Sequence, residues 1–326
     1  MEAKPVKRIV SLFNPERFQG WGKKRNYFEG WYFKILSTDE ENAFALIPGV
    51  SMDTKGNRHS FVQFLDGRKK TSEYHKFEYD DFSASPKRFQ VSVGDNRFSD
   101  SNLSVNLNGL KGELNFSGNV PWPKTWYSPG IMGPYTFVPF MQCYHGIVSM
   151  DHSIDGVLEY AGKEIDFTGG RGYIEKDWGS SFPEGYIWLQ SNHFPEPGVS
   201  IKTSVAKIPW LRGSFTGFIS GIWLYDRLIK FTTYNGSILK KSAIEGPKVE
   251  IVMQNKTYLL EISVLRDSAT ALASPLNGHM DGRIEESMSS EIDVSLTERK
   301  SGRLIFSGKG RNAAVEVAGN IGEILV

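Results

Sequence analysis

The chain of 326 residues has a single cysteine, Cys143. No intrachain disulfide and no paired-cysteine zinc site can form, so the chain suits a reducing compartment, and the lone thiol reads as a buried structural residue. No segment approaches the roughly 20 consecutive apolar residues that a membrane-spanning helix needs. The N-terminus, MEAKPVKRIVSLF, has an apolar run of only five residues, too short for a signal peptide. Net charge is +1, and basic runs are no longer than Lys23-Lys24-Arg25 and Arg68-Lys69-Lys70. Those runs read as solvated faces, and no nucleic-acid partner is indicated. A soluble cytoplasmic protein is expected. The chain also lacks the common cofactor signatures. Gly169-Gly170-Arg171-Gly172 does not have the spacing of a Walker or dinucleotide loop, and there is no Gly-x-Ser-x-Gly elbow. His145 and His152, seven apart with Asp151 between them, match no common metal motif. Neither a cofactor nor a metal is expected. What remains is acid–base chemistry by carboxylates and histidines.

Aromatic residues are plentiful: 13% of the chain, with 8 Trp, 13 Tyr and 21 Phe. That surplus favours β structure or a ring-lined cavity over a helical bundle. Strand patterns run through the sequence. FEGWYFKIL, NAFALIPGV, HSFVQFL, KFEYDDFSA, RFQVSVG and GELNFSG are short, alternate in polarity and end at Gly, Asn, Asp or Ser. VSIKTSVAKI, RLIKFTTYN, KVEIVMQN, TYLLEISVLR and EIDVSLTER continue the pattern in the second half, broken by a Ser/Pro/Gly-rich loop at Ser274–Gly278. One short helix is expected near Asn14–Phe18, with Asn14 as cap and Pro15 at the first position. The fold class is therefore all-β, built as antiparallel sandwiches or barrels.

Two features interrupt or repeat the pattern. Pro121–Met141 holds five prolines among aromatic residues and reads as a long ordered loop, either covering a barrel mouth or plugging it. Phe28-Glu29-Gly30-Trp31-Tyr32-Phe33 is echoed by Pro183-Glu184-Gly185-Tyr186-Ile187-Trp188, and each opens a run of strands. The echo suggests two copies of one β unit with a boundary near Phe182, hence domains over 1–182 and 183–326.

The stretch RGYIEKDWGSSFPEGYIWLQSNH, Arg171 to His193, concentrates the chemistry. Charges among large apolar residues are either a surface turn or a polar constellation in an apolar setting, because an unpaired buried ion is costly. Strand alternation sets Tyr173, Glu175 and Asp177 on one face against Ile174, Lys176 and Trp178 on the other. Two carboxyls on one face can share a proton and make an acid. By the same alternation Glu29, Trp31 and Phe33 share a face. If that face looks into an apolar interior, desolvation raises the Glu29 pKa and keeps it protonated; at a strand mouth it pairs instead with Lys23, Lys24 or Arg25. His145, in CYHG, is a candidate to move a proton near neutral pH or else a hydrogen-bonded core residue, and His193 is a weaker candidate.

YIEKDWGSSFP followed by YIWLQSN resembles the signature of the tocopherol cyclase family. YFEGWYFKI at Tyr27–Ile35, CYHGIVSMDHSIDG at Cys143–Gly156 and AAVEVAG at Ala313–Gly319 resemble the same family, in the same order along the chain. One departure stands out: the plant pattern has Asn where this chain has Asp177. The resemblance implies a tandem of lipocalin-like antiparallel barrels. The plant cyclases also carry a plastid-targeting extension, which is not seen here. The resemblance implies closure of a chroman ring on a prenylated hydroquinone: an acid protonates the alkene, and the phenol oxygen captures the cation. Candidate catalytic residues are Glu29, Glu175, Asp177 and His145, with Trp31, Phe33, Tyr173, Lys176, Trp178 and Trp188 as substrate-binding candidates. The partner is a hydrophobic small molecule, a prenylated aromatic; a peripheral membrane contact and the oligomeric state are left open. A non-catalytic carrier of hydrophobic ligands and a carotenoid-type hydratase are the alternatives.

Overall fold

The computed structural model describes residues 10–326. Residues 1–9, most of the stretch considered for a targeting signal, lie outside the described residues. Regular structure is nearly all antiparallel β-sheet. Among the described residues helix is confined to a turn at Val10–Leu12 and to short 3-10 segments at Tyr79–Asp81, Gly133–Phe137 and Ile321–Glu323. Among the described residues no helix is long and apolar enough to cross a membrane. Two compact units divide the chain. One comprises Met1–Phe182 with Leu272–Arg283, the other Pro183–Ala271 with Ile284–Val326.

In the first unit Tyr27–Leu36 lies inside a 12-stranded sheet, between Ala43–Met52 and Arg171–Gly179. Arg171–Gly179 pairs along its other edge with Cys143–Tyr160. The Tyr27–Leu36 strand is buried at nearly every position, so both of its faces are covered. Leu110–Ser117, in the other half of the same sheet, keeps the buried–exposed alternation of a half-covered strand. One face of the central strands enters a core rich in rings. Trp31 stacks on Phe89 at 5.7 Å, and Phe33 packs on Phe98 at 5.5 Å and Phe116 at 6.2 Å. Much of the aromatic surplus is therefore core packing.

The second unit repeats the pairing. Gly185–Ser191 lies between Val199–Trp210 and Leu304–Gly319 in a 10-stranded sheet. As in the first unit, the opening strand sits between the next strand and the last long one. Here the core is aliphatic, with Ile187, Leu189, Val205, Ile222, Ile251 and Ile262 at its centre. Each ladder ends at edge strands, Thr71–Glu78 and Phe82–Ala84 in the first sheet, Arg227–Thr232 and Ile238–Glu245 in the second. Barrel closure through the ladder is not seen among the described residues.

Two local expectations change. Asn14–Phe18 forms a turn and no helix: the Arg17 amide donates to the Asn14 carbonyl at 3.0 Å, and the Asn14 side chain reaches back to the Val10 carbonyl at 2.8 Å. The carbonyls of Pro15 and Arg17 accept from Lys176, so they are not available to continue a helix. Ser274–Gly278 is part of a β-hairpin, with strands Thr270–Leu276 and His279–Glu298 joined at Asn277-Gly278. Both turn residues have positive φ, 52° and 79°, which is the Asn-Gly turn chemistry of tight hairpins. A Cβ on Gly278 would sit 2.0 Å from the Met52 carbonyl oxygen, so this position takes only glycine. Pro121–Met141 is irregular apart from its 3-10 turn, and it buries Trp122, Ile131 and Met132.

His152 gives the fold a pH dependence. It lies on Cys143–Tyr160 at a register shift, against Phe116 at 4.5 Å, with Nε2 unpartnered. Burial pushes the imidazole down to about 3. Below pH ~6.5 the unfolded chain binds a proton that the folded chain refuses, so stability falls toward acid by about 1.4 kcal/mol per pH unit until the folded pKa is reached. Urea unfolding at pH 7 and pH 5 is expected to show a loss about 2 kcal/mol larger for the native chain than for His152→Gln. Equal losses would show that His152 is protonated without cost.

Candidate active site

Period-two alternation on Arg171–Gly179 sorts the candidate residues onto two faces of one sheet. The register places Trp178 opposite Glu29, Lys176 opposite Trp31 and Ile174 opposite Phe33. Cross-strand neighbours share a face. Glu29, Trp31, Phe33, Ile174, Lys176 and Trp178 therefore form one side, with Trp31, Phe33, Ile174 and Trp178 in the ring-rich core. Tyr173, Glu175 and Asp177 form the other side, where His145 lies opposite Asp177.

On the core side Glu29 and Lys176 are both fully buried and lie 2.5 Å apart. The partner is thus Lys176 and none of Lys23, Lys24 or Arg25. Glu29 Oε1 also accepts from the Gln19 amide at 2.8 Å. Oε2 accepts from the Gly20 amide at 2.9 Å and from the Tyr27 hydroxyl at 2.5 Å. Lys176 donates to the carbonyls of Pro15, at 2.9 Å, and Arg17. Its ammonium lies over the rings of Trp31 and Trp178 at 4.8 and 4.6 Å, a cation–π arrangement. Burial raises the Glu29 carboxyl and lowers the Lys176 ammonium, against their mutual attraction. All four lone-pair sites of the carboxylate are occupied. This pair pins Pro15–Gly20 to the sheet, and Glu29 has no lone pair left for a ligand.

The opposite face is organised around His145. Its Nδ1 is 2.8 Å from Asp177 Oδ1. With the carboxylate accepting, Nδ1 carries the proton and Nε2 presents its lone pair. Nε2 is buried, makes no hydrogen bond, and lies 3.5 Å from Glu175 Oε2. The Tyr173 hydroxyl donates to that same oxygen at 2.5 Å. Burial, and the Glu175 carboxylate beside it, hold the Tyr173 phenol well above its usual range, so it stays a donor. Exposure is graded: the side chain of Glu175 is 5% exposed, that of His145 13% and that of Asp177 23%. A carboxyl, a basic imidazole nitrogen and an orienting carboxylate thus stand in sequence, an arrangement able to give one proton and take another. The ligand atoms of His145, Glu175 and Asp177 lie within 4.8 Å of one another, so these three residues are also the group of described residues spaced to hold a cation. Cys143 Sγ is 3.9 Å from Asp177 Oδ1.

Not every candidate joins this group. Trp188 is on Gly185–Ser191 in the second unit, opposite Ser204 and Glu316, on the face away from Ile187 and Leu189. Beside it the Tyr186 hydroxyl donates to Glu316 at 2.7 Å. His193 Nδ1 is 2.9 Å from Asn192 Oδ1, also in the second unit. A cleft of ≈ 470 Å³ in the first unit is lined by His59, Tyr74, Asp53, His279 and Arg283 among others, none of them a candidate from the sequence. Sequence reasoning missed Tyr27 and gave Tyr173 no partner. The signal was there in the repeated Tyr-x-Glu of Tyr27-Phe28-Glu29 and Tyr173-Ile174-Glu175, which on a strand sets each hydroxyl beside its carboxyl. The backbone donors Gln19 and Gly20 had no signal, because any residue supplies an amide.

Comparison with known proteins places this geometry in context. A family model described as tocopherol cyclase-like matches residues 122–319. The chain is 23% identical to the chloroplastic tocopherol cyclase of Zea mays, over 91% of this chain and 76% of that protein. It is 24% identical to the probable chloroplastic tocopherol cyclase of Oryza sativa subsp. japonica, over 56% of this chain and 40% of that protein. Among solved structures it is similar to CghA with Sch210972, with a TM-score of 0.57 at 9% identity, over 90% of this chain and 88% of that one. A structure described as that of an AttH candidate from Nitrosomonas europaea gives a TM-score of 0.54 at 11% identity, over 90% of this chain and 93% of that one. At these identities the structural likeness shows the fold alone.

Proposed function

The chain belongs to the tocopherol cyclase-like family, and on that premise we propose that it closes a chroman ring on a prenylated hydroquinone, with Glu175 as the acid. The observation that carries the reading is the approach of Glu175, His145 and Asp177. Glu175, entering as the carboxylic acid, gives its proton to the alkene; the π bond breaks, a C–H bond forms and a tertiary cation results. The phenol oxygen closes on that cation, a C–O bond forms, and His145 Nε2 takes the phenolic proton. Asp177 holds His145 in the tautomer that leaves Nε2 basic. Return of the proton from His145 to Glu175, across the 3.5 Å between them, resets the site. Substrate and product have the same composition, so no redox partner enters the balance.

In this reading Glu29 and Lys176 are structural, and Trp31, Phe33 and Trp178 support the sheet from its core side. Tyr173 orients Glu175, and Trp188, which lies in the second unit, is left out of this site. In the same reading the two units, Met1–Phe182 with Leu272–Arg283 and Pro183–Ala271 with Ile284–Val326, are tandem lipocalin-like domains of a cytoplasmic protein. The ligand is long and apolar with one polar end, as barrels of this class hold. The test is product analysis after incubation with a prenylated hydroquinone in the presence of a chelator. A chroman of unchanged mass is the expected product. A product heavier by one water would favour the hydratase, and binding without conversion would favour the carrier. Loss of activity to the chelator alone would move His145, Glu175 and Asp177 to a metal site.

A further inference from the structure

Among the described residues every exposed Phe and Trp lies in two neighbouring segments of the first unit. Pro121–Met141 carries Trp126, Tyr127, Phe137 and Phe140, at 80%, 56%, 42% and 54% exposure. Phe13, 43% exposed, meets Phe137 with ring centroids 5.6 Å apart, and Val10 and Leu12 beside it are exposed as well. The two segments are tied together by Lys124 and Glu16 at 2.6 Å. The loop is not loosely attached: Trp122, Ile131 and Met132 are buried, and the Tyr144 hydroxyl donates to the Val138 carbonyl. The buried residues hold the backbone while the rings of Trp126 and Tyr127 stay in water. Burying these rings in a folded core was available to the chain, since most of its other rings are buried, so their exposure needs an occupant.

Charge points to the kind of occupant. Residues 10–25 and 121–141 carry Arg17, Lys23, Lys24, Arg25 and Lys124 against Glu16 alone, net +4 where the whole chain has +1. The strand register puts these charges and the loop at the same end of the sheet. Phe28 and Cys143 both lie opposite Gly179, so Lys23–Arg25 and the loop both lead into their strands at the same end. Exposed Trp and Tyr on segments of net positive charge, with no acid anywhere in Pro121–Met141, match the boundary of an anionic bilayer, where amphipathic rings sit at headgroup depth and basic residues meet anionic lipid. We propose that Pro121–Met141, with Val10–Phe13, is a docking face for an anionic lipid surface. The same loop runs straight into Cys143–Tyr160, the strand that carries His145, so docking sets the candidate site next to an apolar phase. The proposal concerns where the protein sits and does not depend on the reaction.

Flotation with vesicles tests it. The full chain should bind mixed phosphatidylcholine–phosphatidylglycerol vesicles more tightly than pure phosphatidylcholine, and less tightly as salt is raised. Trp126→Ala, Tyr127→Ala and Phe137→Ala together should weaken binding at least about tenfold, given the apolar area removed, with an unchanged urea midpoint and unchanged turnover of detergent-dispersed substrate. Three results would each overturn the proposal: no binding to either vesicle, equal binding by the triple variant, or a concentration-dependent dimer that the triple variant abolishes.

Discussion

Lys176→Met is expected to lower the free energy of unfolding by about 3–5 kcal/mol, because it leaves a buried carboxyl without its counter-charge. Glu29 then keeps the donors Gln19, Gly20 and Tyr27 but loses the ammonium at 2.5 Å. The carbonyls of Pro15 and Arg17 lose their donor in the same step. A second change should recover much of the loss. In Glu29→Gln/Lys176→Met no charge is left in the core, and the amide oxygen of glutamine can accept from the same backbone donors. Replacement of a whole buried pair is often close to neutral, so the double variant should lie well above the single one in urea unfolding at pH 7. Limited proteolysis gives an independent reading: the single variant should be cut within Asn14–Gly20 earlier than the native chain. A cost no larger than about 1 kcal/mol, the level of an exposed ion pair, would contradict the placement of this pair as the clamp on that segment.

Glu175→Gln is expected to lose about 10²–10⁴-fold in turnover, the usual contribution of general acid catalysis, while ligand affinity changes little. The amide keeps the shape, and its oxygen can still accept from Tyr173, but it has no acidic proton to give. Asp177→Asn should lose rate by another route: an amide NH₂ facing His145 favours the tautomer with the proton on Nε2, and the nitrogen nearest Glu175 stops being a base. Glu29→Gln, assayed where it is still folded, should keep most of its activity. The opposite pattern, an inactive Glu29→Gln beside a fully active Glu175→Gln, would assign the acid to the core side of the sheet.

The two variants separate what local sequence carries from what it does not. Strand alternation is local, and it put Glu175 and Asp177 together and Lys176 with Trp178 correctly, since a side-chain period of two holds in any strand. Which face meets the core is not local. Tyr27–Leu36 is buried on both sides, so neither face is marked by polarity. The pairing of Tyr27–Leu36 with Arg171–Gly179 joins strands far apart in sequence, and without it Lys176 cannot be seen to lie beside Glu29. The same holds for His145 and Asp177. By contrast, Asn277-Gly278 carries the local signal of a hairpin turn, but Ser274 and Pro275 before it pointed to a loop. Asn14-Pro15 had the chemistry of a helix start, and a tertiary demand, the Lys176 ammonium, drew its carbonyls elsewhere.

Turnover in heavy water bears most directly on the proposed chemistry. Proton-initiated ring closure must place one deuterium on the carbon that was protonated, because the transferred proton comes from a group in exchange with solvent. The account predicts a chroman carrying that single deuterium, formed by the native chain and at a strongly reduced rate by Glu175→Gln. A chroman formed without the label would contradict it.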